Sequence, residues 1–66
     1  MNVTINGKST QLSDVKTIAD LIRSRGLKTS LVAVEQNGSI VPRSEFESKP
    51  VEEGDELEIV HFVGGG

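Results

Sequence analysis

Apolar and polar residues alternate at the start of the chain. Val3 and Ile5 point one way and Asn2, Thr4 and Asn6 the other, which predicts a half-buried strand. Asn6-Gly7 follows, a pair whose members both tolerate positive φ, so a two-residue hairpin is predicted with Lys8 to Leu12 returning. That return is polar, as edge strands often are, and Lys8 discourages further pairing. Ser13 to Lys16 read as a connection. Thr17 then caps a helix, with Asp20 three residues on completing a near capping box. Ile18, Leu21 and Ile22 share one helical face. Arg23 and Arg25 favour the last turn, Gly26 the left-handed stop, and Leu27 folds back as its apolar partner. Leu31 to Gln36 is an apolar, interior strand. Asn37-Gly38 repeats the hairpin signal, and the short return Ser39-Ile40-Val41 is stopped by Pro42. Arg43 to Lys49 is irregular or a single helical turn anchored by Phe46. A turn at Glu52-Glu53-Gly54-Asp55 leads into a last strand, Glu56 to Val63.

One amphipathic helix must bury its stripe, and a sheet with one apolar face is the surface available. The element order therefore suggests an α+β fold: a β-grasp roll, with a mixed sheet of four to five strands packed on one main helix. Folds with this order of elements supply the analogy. The domain is expected over residues 1–63, with 64–66 a flexible glycine tail.

Period two divides the last strand. Leu57 and Ile59 should meet the helix, which puts Val60 and Phe62 on the opposite face with Glu58. In the third strand Val32 and Val34 face in, and Leu31, Ala33 and Glu35 face out. Leu31, Ala33, Val60 and Phe62 would then form an apolar area on the open face, rimmed by acids. Such an area reads as a partner surface. A register slip of one residue would swap the faces.

Composition narrows the function classes. The chain has 66 residues and no Cys, so a single small domain must rest on apolar packing without disulfides or thiolate metal sites. A net charge of −3 argues against nucleic acid. No apolar run approaches the ~20 residues of a membrane span, and no secretory signal is visible, so a cytoplasmic setting is expected. Seven acids and one base, Lys49, lie between Glu45 and Glu58. That flank is either ordinary solvated surface or a steering field for a basic partner. His61 is the only histidine, and no serine has a base at motif spacing. No catalytic residues, no bound cofactor and no metal site are expected, and an enzyme in its own right is not.

The distinctive chemistry sits in Val63-Gly64-Gly65-Gly66. Glycines make a thin arm able to enter a narrow site, although the tail alone fits a frayed terminus equally well. The α-carboxylate of Gly66 is a poor electrophile that a partner would have to activate, for instance as an acyl-adenylate. No Cβ would block approach to its carbonyl carbon.

The Asn6-Gly7 hairpin, the helix Thr17 to Arg25, Val32-Ala33-Val34, Ile40-Val41-Pro42-Arg43, Glu53-Gly54-Asp55 and the ending Val60 to Gly66 together resemble the ThiS family of thiamine-pathway sulfur carriers. The resemblance covers the whole chain and implies a ubiquitin-like β-grasp fold. It implies adenylylation of Gly66 by a ThiF-like adenylyltransferase using ATP and magnesium. A sulfur donor system then yields a thiocarboxylate, which gives its sulfur to a ThiG-like thiazole synthase. Gly65 is the other half of the glycine pair, and Gly64 departs from the commonest two-glycine ending by lengthening the arm. The alternatives are a MoaD-like molybdopterin-synthase small subunit, a ubiquitin-like modifier joined through Gly66 to lysines, and an interaction module with inert glycines.

Overall fold

The computed structural model describes residues 1–62. Val63 and the glycines at 64–66 lie outside the described residues, and with them the expected division between domain and tail. The described chain forms strands β1 (Asn2–Ile5), β2 (Lys8–Gln11), β3 (Val32–Gln36), β4 (Ser39–Val41) and β5 (Glu56–His61), with one α-helix, α1 (Ile18–Ser24). Two short 3₁₀ turns, Thr29–Leu31 and Arg43–Glu45, complete it. The sheet order is β2-β1-β5-β3-β4, so the last strand is the central one and pairs parallel to the first. This is the mixed β-grasp sheet over one helix that the element order suggests.

Both hairpins turn through Asn-Gly pairs with positive φ throughout: 50° and 82° at Asn6 and Gly7, 53° and 86° at Asn37 and Gly38. That is the type I′ geometry whose twist matches the flanking strands. The turn fixes register, pairing Ile5 with Lys8 and Gln36 with Ser39.

The helix begins with its amides fully accounted for. Asp20 N–H donates to Thr17 Oγ1 at 3.2 Å, and the Asp20 carboxylate accepts in return from the amides of Thr17 and Lys16. The Lys16 amide, then that of Thr17, holds the Asp20 carboxyl below the usual carboxylate range. Ile18 N–H and Ala19 N–H donate to the carbonyls of Lys49 and Phe46, so the distant 46–51 segment supplies the remaining acceptors. At the other end Gly26 N–H reaches Arg23 O and Leu27 N–H reaches Ile22 O, the two bonds of a Schellman stop. The φ of +73° at Gly26 is what such a stop requires.

Ile18, Ala19, Leu21 and Ile22 are fully buried against Val3, Ile5, Val32, Val34, Leu57 and Ile59. Each of the larger side chains contributes about 1.5–3 kcal/mol by burial. Leu12, Val15, Phe46 and Val51 close the flanks of this core.

Three boundaries differ from expectation. The second strand stops at Gln11, and Leu12 turns inward as a buried core residue. Leu31 belongs to the 3₁₀ turn Thr29–Leu31, not to the third strand, because the chain must turn before it enters the sheet at Val32. The last strand ends at His61.

Candidate functional site

The face of the sheet turned away from α1 carries the exposed apolar side chains. Val60 is 55% and Phe62 50% exposed, with Ala33 exposed beside them. The period-two division of β5 therefore holds, with Leu57 and Ile59 buried on the other side. Ala33 pairs directly with Val60 across β3 and β5. Leu31 is half-buried and sits in the 3₁₀ turn before β3, outside the strand pairing that sets the face of Ala33.

Ile40 is the residue that sequence reasoning missed. At 77% exposure it is the most exposed large apolar side chain among the described residues. The signal was present: the two-residue turn at Asn37-Gly38 pairs Glu35 with Ile40, so Ile40 shares the outward face of Glu35. Ala33, Val34, Glu35, Ile40, Glu58 and Val60 line a shallow groove of about 110 Å³ on this face.

Three fasteners hold the end of β5 and the turn that precedes β3. Beyond Ile5 the parallel ladder continues through a side chain: Ile59 N–H donates to Asn6 Oδ1 at 2.8 Å, and Asn6 Nδ2 donates to Ile59 O at 3.1 Å. The Asn6 carboxamide thus stands where a further peptide group of β1 would stand. On the other side Phe62 N–H donates to Leu31 O at 2.8 Å, extending the β3 ladder one step past the strand. The Arg43 guanidinium donates to Thr29 O and Val32 O, both at 3.1 Å, and so ties down the turn that carries Leu31.

The acidic flank is not a uniform solvated surface. Asp55 is buried and accepts from Gln36 Nε2 at 2.8 Å, Asn37 Nδ2 at 3.0 Å and Glu52 N–H at 2.8 Å. Burial pushes its carboxyl upward, but these hydrogen bonds outweigh it and leave the group below the usual carboxylate range. Glu53 accepts from Asn2 N–H, and Glu47 pairs with Arg23. Glu35 and Glu58 stay exposed, directly opposite each other on the open face.

His61 is exposed and stands apart from any metal-binding group: among the described residues no three His, Cys, Asp or Glu side chains cluster. No helix among them is long and apolar enough to cross a membrane. Among the described residues the open face thus offers apolar contact and exposed carboxylates, a set suited to recognition. The acyl chemistry expected at Gly66, and the tail at Gly64 and Gly65, lie outside them.

Comparison with known proteins bears on this arrangement. The ThiS family model matches residues 3–66. The sulfur carrier protein ThiS of Bacillus subtilis is 40% identical over 63 residues, which is 94% of this chain and 96% of that protein. A thiazole synthase of Paramagnetospirillum magneticum is 42% identical over 66 residues, all of this chain but 20% of that protein. A second, from Magnetococcus marinus, is 33% identical over the same share, so the chain spans about a fifth of the length of these two relatives. The crystal structure of a thiamine biosynthesis protein (ThiS) from Geobacter metallireducens superposes with a TM-score of 0.82 at 32% identity, covering all of both chains.

Proposed function

The chain belongs to the ThiS family, and on that footing we propose that it is a sulfur carrier for thiamine biosynthesis with Gly66 as the loaded residue. The observation that supports this most directly is that the family match runs through Gly66, taking in the whole glycine run that β5 leads to.

The chemistry needs a free α-carboxylate on Gly66. One of its oxygens attacks the α-phosphorus of ATP on a ThiF-like adenylyltransferase, with magnesium bound to the nucleotide, and pyrophosphate leaves. The resulting acyl-adenylate is a good electrophile. A hydrosulfide equivalent from a sulfur donor attacks its carbonyl carbon, the bond to the AMP oxygen breaks, and a thiocarboxylate and AMP result. The thiocarboxylate sulfur then passes to the thiazole precursor on thiazole synthase. Two relatives named thiazole synthase contain a stretch like this chain, which supports that enzyme as the acceptor. This chain itself acts as co-substrate, not catalyst.

The open face supplies the binding that makes the transfer specific. Val60, Phe62 and Ala33, with Leu31 at the margin, dock on the activating enzyme and aim the glycine arm at its nucleotide. Asn6 and the Phe62–Leu31 hydrogen bond hold β5 and Phe62 to the neighbouring strands on either side.

Intact mass tests this reading. The chain is incubated with magnesium, ATP, a sulfide source and a ThiF-like enzyme that activates the Bacillus subtilis carrier. The expected result is a mass gain equal to exchange of one oxygen for sulfur, mapped to Gly66. An unchanged mass beside a converted control carrier refutes the reading.

A further inference from the structure

Cross-strand neighbours on one face of a sheet are the unit of its stability, and like charges directly opposite each other weaken it. Glu35 on β3 faces Glu58 on β5 in just this way, with Cβ atoms of such a pair roughly 5 Å apart. Both are exposed. Among the described residues the one ion pair formed is Arg23 with Glu47, so no lysine or arginine of the fold sits on these two carboxylates. The strand pairing places them between apolar groups. Ile40 lies beyond Glu35 across β4, Ala33 and Val60 form the next pair along, and all five line one groove.

The arrangement is unfavourable for the isolated domain. A pair of apolar or opposite charges at these positions would hold β3 to β5 better. It becomes favourable when a cation enters the groove between the two carboxylates while apolar side chains cover Ile40 and Val60. A planar guanidinium fits best, because its several N–H donors can serve two carboxylates at once. Closing the groove excludes water and strengthens that contact.

We infer that the Glu35–Glu58 pair is the specificity element of the docking face, and that the cognate partner inserts an arginine flanked by apolar side chains between them. The inference rests on the sulfur-carrier reading, since the partner concerned is the activating enzyme that binds this face. It adds which residues select that partner and what chemistry the partner must present.

The test measures stability and binding on the same proteins. Glu35→Gln, Glu58→Gln and the double variant are compared with the wild-type chain by thermal melting and by titration against the ThiF-like enzyme. Removing the repulsion should raise the melting temperature of the double variant by about 2–4 °C. The same variant should bind roughly tenfold or more weakly. Its affinity should also fall less steeply with added salt. A gain in stability with a loss of binding cannot come from misfolding. Wild-type-like affinity and salt dependence in the double variant overturn the inference while leaving the carrier reading intact. A wild-type chain that neither binds that enzyme nor gains sulfur overturns both.

Discussion

Asn6→Gly isolates the side-chain link between the first hairpin and the last strand. Glycine adopts the φ of +50° found at Asn6 without strain, so the type I′ turn survives the change. What is lost is the pair of hydrogen bonds to Ile59, at 2.8 and 3.1 Å, which no backbone group of β1 can replace because the chain turns away at Gly7. Each such bond contributes about 0.5–1.5 kcal/mol net, so the variant should lose about 1–3 kcal/mol. For a domain of this size a loss of about 2 kcal/mol lowers the melting temperature by roughly 8–16 °C. The chain has no Trp or Tyr, so far-ultraviolet circular dichroism is the suitable probe for urea and thermal unfolding. The midpoint should fall with an unchanged m value, and the Ile59 amide should exchange its hydrogen faster than that of Val34. A stability loss under about 0.5 kcal/mol, or unchanged protection at Ile59, would refute the idea that the carboxamide completes the ladder.

Three further outcomes are expected. Thr17→Ala removes the Oγ1 acceptor of the capping box and should cost about 1 kcal/mol, read as a lower urea midpoint; Thr17→Ser should restore most of it. Asp55 has its carboxyl held below its value in the unfolded chain, so its contribution is present above roughly pH 4 and is lost as pH falls through the folded value. Unfolding midpoints taken from pH 6 down to pH 2 should therefore drop more steeply in the wild type than in Asp55→Asn, and parallel slopes would contradict the assignment. Phe62→Asp places a charge on a half-exposed side chain outside the core, so the melt should stay near that of the wild type while affinity for the activating enzyme falls at least tenfold in a titration.

Local signals in the sequence carried most of the fold. The Asn-Gly turns, the Thr17–Asp20 box and the Gly26 stop each act within five positions of the chain, and all appear where the spacing puts them. The alternation Leu57-Glu58-Ile59-Val60 was enough to assign both faces of β5. Long-range partnerships were not legible. Asn6 meets Ile59 across 53 positions, and Gln36 and Asn37 reach Asp55 across 19 and 18, so nothing near these residues announces their roles. Asp55 consequently read as one more acid in a charged flank. Leu31 continues an apolar run and so reads as a strand residue, whereas the geometry of entry into the sheet decides where pairing starts. Ile40 is a different case, since the hairpin register was already sufficient to place it on the open face.

The strand order also bears on how the protein is made. The β1–β2 and β3–β4 hairpins are each local and can form as soon as their residues leave the ribosome, but β5 alone joins them. An isolated hairpin is marginal in water. Until residues 56–61 emerge, the nascent chain therefore holds two marginal hairpins with nothing to join them and an amphipathic helix with no complete sheet to cover. The domain assembles in one late step, and a chain cut before Glu56 should remain unfolded and open to proteolysis.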